Sequence, residues 1–174
     1  MGGPASSVTV AVTAGGPASV VPTNYNGTTR LYYDATFTVA NNLGGGATFD
    51  LGSVIAGDAD VTIIRLALCS DKATAVTSVT IAYAGSASIC VLYNVDDAAT
   101  AADAATVTLT ATAQADNSIT DNDDYAVTVI KAAITLTKKA FLDDGTTEIT
   151  TEKPLPGDFI IYEITVKNEG GASA

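Results

Sequence analysis

The chain has 174 residues, 47% of them apolar and only 16% charged, which is enough for one large β domain or a full domain plus part of a second. Nineteen acidic residues against eight basic ones give a net charge of -11, which repels nucleic acid and anionic membrane surfaces alike. The chain has no His to act as a base near neutral pH and no apolar stretch of about 18 residues, so we expect neither an enzyme nor membrane insertion.

Apolar and polar residues alternate with a period of two along most of the chain, which predicts half-buried strands. Ala and Val interleaved with Thr supply most of this pattern, and β-branched side chains favour strands over helices. In chain order, we expect strands at Val8–Val12, Leu31–Val39, Val61–Cys69, Val76–Tyr83, Ala87–Asn94, Thr106–Ala113, Tyr125–Ile130, Ile134–Ala140 and Phe159–Asn168.

Turn residues separate these strands, as in the glycine run 44–46. The Ala-rich segment 96–105 is the one helical candidate, but ten residues are marginal for an isolated helix, so we expect a loop there. Nine strands with turn-rich links predict an all-β chain: an immunoglobulin-like or Greek-key β-sandwich with a partial second β unit. We place an N-terminal strand at 1–16, the sandwich domain at 17–131 and the partial unit at 132–174.

Cys69 and Cys90 are the two cysteines, and each lies in a predicted strand. Because the chain has no His, two thiols are too few ligands for a metal site. Two interpretations stay open. The cysteines form a disulfide between neighbouring strands, or they are buried free thiols that pack as small apolar residues.

An acidic segment precedes the last predicted strand of the sandwich, and carboxylate and amide oxygens are ligands that suit calcium. The candidate ligands are Asp116, Asn117, Asp121, Asn122, Asp123 and Asp124. The segment lacks the spacing, central Gly and terminal Glu of an EF-hand loop, so we favour a solvated turn. We therefore expect no cofactor, with calcium as the one candidate ion.

The triplet Asn26-Gly27-Thr28 is an N-glycosylation sequon in a predicted turn, where a glycan can be tolerated. Sequons this short also arise by chance. Asn26 is the candidate glycosylation site.

The last forty residues combine several short motifs. They are a strand from Ile134 to Ala140, an insert through Asp143-Asp144-Gly145, a Pro156-Gly157-Asp158 turn, and Tyr162, Ile164, Val166, Asn168 and Gly170 at alternate positions. This combination resembles the tandem immunoglobulin-like surface repeat of bacterial and archaeal cell-surface proteins. The resemblance implies an extracellular or cell-surface location, and a repeat that begins but does not finish.

An unfinished repeat leaves the apolar side of Tyr162, Ile164 and Val166 without enough partners of its own. Three explanations stay open. The chain is a piece of a longer protein, or residues 134–174 complete the sheets of the first domain, or a neighbouring subunit supplies the missing strand.

The candidate donor of such a strand is the segment that contains Val8, Val10 and Val12, because Gly-Pro segments bracket it on both sides. It is equally well explained as the first strand of its own sandwich. On this basis we expect a structural subunit of an extracellular filament or pilus-like assembly that associates with copies of itself by strand complementation. The alternative is a fragment of a larger cell-surface adhesin, stalk or surface-layer protein.

Overall fold

The computed structural model of the protein describes residues 7–13, 19–25, 27–57, 60–150 and 154–174. The chain divides into two units, Met1–Ile130 and Lys131–Ala174. Regular structure in the described residues consists of strands alone, which confirms the predicted all-β class. None of the described segments forms a helix able to cross a membrane.

The first unit is a β-sandwich, as predicted, because alternation along its strands gives each sheet one apolar face to bury. One sheet contains, in spatial order, β1 (Val8–Val12), β5 (Tyr33–Asn41), β10 (Ser86–Val95), β7 (Val61–Leu68) and β8 (Asp71–Ala75). The other contains β2 (Ser19–Val20), β12 (Thr120–Val129), β11 (Ala104–Ala113), β6 (Ala47–Gly57) and β9 (Ser78–Ile81). Two short strands, β3 (Asn24–Tyr25) and β4 (Thr28–Thr29), pair with each other, and the second unit contains β13 (Ile134–Phe141) and β14 (Ile161–Asn168).

The core lies between the two five-stranded sheets. Along β5 and β11 buried residues alternate with half-exposed ones, as the period-two pattern requires. The largest fully buried side chains in this core are Tyr93, Phe37, Phe49, Ile89 and Leu109. Residues from both sheets therefore fill one continuous core.

Sequence patterning missed β6, an 11-residue strand. Asp50 and Gly52 interrupt its apolar pattern, yet Phe49 and Leu51 are buried and Ile55 packs against the core from the same face. The Ala-rich segment 96–105 was interpreted correctly: it forms turns, and β11 begins inside it.

Cys69 and Cys90 form a disulfide, with their Cα atoms 5.1 Å apart. Cys69 directly follows β7, and its N–H donates to Ser88 O on the adjacent strand β10 (3.0 Å). The bridge thus joins neighbouring strands, beside a small apolar cluster that includes Ala67 and Leu92. Since disulfides form and persist in oxidising compartments, this bridge fits a secreted or extracellular protein.

The buried hydroxyl of Tyr93 gives the first testable prediction, because no described protein atom forms a hydrogen bond with it. Burial of the ring, which stacks on Tyr33 with centroids 5.8 Å apart, also raises the Tyr93 pKa. Removing an unsatisfied buried hydroxyl relieves its desolvation cost, so we expect Tyr93→Phe to raise the free energy of unfolding by about 1 kcal/mol. Urea denaturation measures the change.

Tyr33→Phe is the matched control for that prediction. The Tyr33 hydroxyl donates to Val21 O (2.9 Å), so its removal breaks a hydrogen bond. We expect this variant to lose about 1 kcal/mol, the opposite sign to Tyr93→Phe. Equal destabilisation by the two substitutions would contradict the assignment of Tyr93 as unsatisfied.

Candidate assembly surfaces

β1 is the first strand of its own sandwich. It pairs antiparallel with β5, from Val8 opposite Asn41 to Val12 opposite Phe37. Val8 and Val10 are buried in the core, and the half-buried Val12 packs against it. This corrects the donor interpretation of Val8, Val10 and Val12, because their side chains are used inside their own chain. The Gly-Pro segments that suggested the donor role lie outside the described residues.

Two carboxylates of β12 cover the outer edge of β1. The N–H groups of Val10 and Val12 donate to Asp121 Oδ2 (2.8 Å) and Asp123 Oδ2 (2.7 Å). On the other edge, Thr13 N–H donates to β5. Hydrogen bonds to an ionised acceptor are roughly twice as strong as neutral ones, and an uncovered strand edge is a template for association. The two acids therefore satisfy and close this side of the sandwich.

The structure does not bring together the four acidic residues among the candidate calcium ligands. Asp116 accepts bonds from the N–H and hydroxyl of Ser118 within its own turn (3.0 and 2.7 Å). Asp124 accepts from the Thr108 hydroxyl (2.6 Å), and the other two acids bind β1. Asp121, Asp123 and Asp124 lie in β12, which corrects their assignment to a loop. Across the described residues, no group of three or more potential ligands could hold a metal ion.

Asn26, the candidate glycosylation site, lies outside the described residues, and its modification stays a prediction. Its surroundings are described: β3 and β4 pair on either side of it, and Gly27 has a φ of 73°. That positive φ suits glycine, because a residue with a Cβ is strained in this backbone conformation even where the surrounding space is open.

The second unit is a two-stranded antiparallel ribbon. β13 and β14 pair in register from Ile134 opposite Asn168 to Phe141 opposite Ile161. Among the described strands, they pair only with each other. The explanation that residues 134–174 complete the sheets of the first domain is therefore wrong.

The register gives the ribbon one apolar and one mainly polar face. The residues that share the first face, called here the ribbon apolar face, are Ile134, Leu136, Lys138, Ala140, Tyr162, Ile164, Val166 and Asn168. Its large side chains are uncovered: Leu136 is 66% exposed, Ile164 59% and Val166 63%. The predicted strand at Tyr162, Ile164 and Val166 exists, and all three side chains are more than half exposed among the described residues.

Lys138 is the one charged residue on the ribbon apolar face, and its ammonium lies 3.9 Å from the centroid of the Tyr162 ring. Two other ribbon lysines form ion pairs: Lys139 with Glu148 (3.1 Å) and Lys167 with Glu169 (2.7 Å). Within the described ranges Lys138 forms no such pair. This face therefore combines apolar surface with a single cation.

The Asn-x-Gly element connects the end of β14 to the residue that precedes β13. Asn168 Oδ1 accepts bonds from the N–H groups of Ala133 (3.1 Å) and Gly170 (3.0 Å), and its amide donates to Ala172 O (2.7 Å). A Cβ at Gly170 would overlap the backbone of Lys131. Both residues of this motif thus have a local structural role.

Asp144 gives a prediction of pH dependence. Its carboxylate accepts bonds from the Thr147 hydroxyl (2.6 Å), the Thr147 N–H (2.8 Å) and the Thr146 N–H (2.8 Å), and these lower the Asp144 pKa to about 2. Because the pKa is depressed in the folded state, the stabilisation is complete above the unfolded value of about 4 and is lost as pH falls through the folded value.

An NMR titration should therefore show the Thr147 amide shift changing with a midpoint near 2, the pKa that its bonds give Asp144. In Asp144→Asn this transition should be absent, since the titrating group is gone. A wild-type midpoint near the ordinary value of about 4 would contradict the bonded arrangement.

Comparison with known proteins finds no matching family model and no curated protein of similar sequence. Among solved structures, the chain is similar to the ASH / PapD-like domain 7 of human CEP192, with 11% identity and a TM-score of 0.39, covering 74% of this chain and 88% of that one. It is also similar to the secreted serine protease VesC from Vibrio cholerae, with 11% identity and a TM-score of 0.36, covering 86% and 41%. Likenesses this distant identify no family, so the fold assignment rests on the strand pairing itself.

Proposed function

We propose that the chain is a structural subunit of an extracellular filament or pilus-like surface assembly, whose copies associate through the second unit. The observation that carries this proposal is the ribbon apolar face. A sheet layer with one apolar face needs another layer to bury it, and an isolated two-stranded ribbon is at best marginally stable in water. The face is regular, large and exposed.

Energetics indicate what kind of association this face supports. Covering its five large side chains, which are 50–66% exposed, contributes on the order of 10 kcal/mol at roughly 25 cal/mol per Å². Association costs an estimated 4–15 kcal/mol in lost translational and rotational freedom. Apolar burial alone therefore gives weak binding, and an assembly needs backbone pairing at a strand edge or charge pairing in addition.

Other features support the same proposal. The disulfide suits an extracellular protein, and a chain with no His offers little for nucleophilic or metal-assisted chemistry. The proposal therefore assigns the chain no catalytic activity, no nucleic-acid partner and no membrane insertion. Its partners are copies of itself.

Sedimentation velocity and electron microscopy over a range of concentrations test this proposal. We expect the wild-type chain to form regular polymers, and Ile164→Glu to prevent them by placing a charge on the ribbon apolar face. Thr165→Glu is the matched control, because Thr165 points to the opposite face of the same strand. Wild-type chains that stay monomeric at every concentration would refute the proposal and favour a fragment of a larger adhesin or stalk.

A further inference from the structure

One side of the sandwich is only partly covered. β9 pairs with β6 over Ala47–Asp50, and β8 pairs with β7 at Ala67 and Leu68. In the described part of the chain, residues 52–57 of β6 and 61–65 of β7 have a neighbouring strand on one side only. Two open strand edges, one from each sheet, therefore lie on this side.

On the opposite side of the sandwich, the edge of β1 is closed. The outward N–H groups of β1 donate hydrogen bonds to carboxylates of β12. Inward-pointing charges are a common way to protect a sheet edge from pairing with another chain. The described residues supply no comparable cap to the open segments of β6 and β7.

An open groove of about 470 Å³ runs along these two edges. Its lining includes Val54, Ile55, Val61 and Ile63, and Val54 is 60% exposed. Two acidic residues lie next to one end of the groove in the chain: Asp60 directly precedes Val61, and its carbonyl accepts the Asp96 N–H (2.8 Å). The groove thus offers apolar surface, unpaired strand edges and carboxylates at one end.

Charge indicates what fits this groove. Residues 1–130 contain 12 acidic and 3 basic residues, whereas residues 131–174 contain 7 acidic and 5 basic residues, so the first unit is the more acidic one. The ribbon apolar face carries Lys138 without a carboxylate partner among the described residues. The ribbon apolar face thus combines apolar surface with one cation, which complements an apolar groove on the more acidic unit.

We propose that the β6–β7 groove of one copy receives the β13–β14 ribbon of a second copy, with β14 added at an open strand edge and Lys138 directed to the acidic end. This inference rests on the proposed function and names the surface that covers the ribbon. The contact between ribbon and groove adds backbone pairing and charge pairing to the apolar burial, which alone gives weak binding. Because ribbon and groove are different surfaces, the contact is head-to-tail, and repetition of it builds an open polymer.

A second ribbon is the competing occupant of the ribbon apolar face. Two such faces packed together would bury Lys138 of both copies in one interface, away from any acidic residue on either apolar face. Burying unpaired charges is costly. The groove is therefore the better partner.

Complementation between two blocked variants tests the inference. Val54→Lys blocks the groove but leaves the ribbon intact, and Ile164→Glu blocks the ribbon but leaves the groove intact. We expect each variant alone to sediment as a monomer at concentrations where the wild type polymerises. Mixed in equal amounts, they should form a 1:1 complex and stop there, because only one intact ribbon and one intact groove remain.

Two controls accompany the mixture. Leu31→Lys places the same charge on the first unit at a position that is 85% exposed and lies neither in the groove lining nor in an open strand segment, and it should polymerise like the wild type. Lys138→Glu should raise the concentration needed for assembly at least tenfold, and adding Asp96→Lys should restore it. An unchanged urea midpoint shows that each variant is folded.

The outcomes separate this inference from the proposed function. Wild-type polymers that persist in Val54→Lys would overturn the groove while leaving the filament proposal standing. Dimers of Val54→Lys that fail to bind Ile164→Glu would overturn it in favour of ribbon-to-ribbon packing. A wild type that never assembles would refute both.

Discussion

Replacing both Asp121 and Asp123 by alanine is expected to lower the free energy of unfolding by about 3 kcal/mol, at the lower end of the range for two hydrogen bonds to charged groups. The substitution removes both acceptors from the outer N–H groups of β1. β1 keeps its pairing with β5, so the sandwich should still fold. Urea denaturation measures the loss, and faster amide exchange at Val10 and Val12 locates it.

Asp124→Ala is the matched control, since it removes an acid from the same strand but only breaks an exposed bond to Thr108. We expect it to cost less than about 1 kcal/mol. Asparagine at positions 121 and 123 keeps an oxygen acceptor without the charge and should recover part of the loss. If the double alanine variant were no less stable than Asp124→Ala, the capping role of Asp121 and Asp123 would be wrong.

The second large effect concerns the disulfide. Cys69→Ala combined with Cys90→Ala is expected to lower the free energy of unfolding by about 3 kcal/mol, because the bridge closes a loop of 21 residues and restricts the unfolded chain. Alanine is chosen because Cys90 is fully buried beside Ala67 and Leu92, where a polar replacement would add a separate cost.

A reducing agent separates the stability that comes from the S–S bond from the stability that comes from packing of the sulfur atoms. Urea unfolding of the wild type with a reducing agent should show a loss close to that of the double variant, whereas the variant itself should not respond to reductant. A wild type with the same stability in both conditions, after complete reduction is shown by thiol titration, would contradict a stabilising bridge.

Period-two alternation correctly predicted most of the sandwich, because β-branched and aromatic residues at alternate positions mark the face of a strand that is buried. It failed where strands carry polar residues. β6 contains Asp50 and Gly52, and the first half of β12 is acidic, so both segments resemble turns. The sequence did contain a sign that β12 begins before Tyr125. Asp121 and Asp123 occupy the same alternate positions as the buried residues Tyr125, Val127 and Val129.

The candidate assembly surfaces were predicted only in part. The strand with Tyr162, Ile164 and Val166 was recognisable because its alternation is complete and its turn motif is local. The donor role of Val8, Val10 and Val12 was wrong, since an apolar strand looks the same whether its own chain or another buries it. The groove between β6 and β7 could not be predicted, because it depends on where β8 and β9 stop pairing.

The sequence by itself determined the all-β class, the acidic character and the amphipathic ribbon, because composition and alternation act residue by residue. Only the tertiary structure decided which strand edges are closed and which are open. An edge is a relation between strands distant in the chain: Asp121 and Asp123 close β1 from more than a hundred residues away. For the same reason, only the tertiary structure shows that, among the described residues, β6 and β7 keep open edges where β9 and β8 stop pairing.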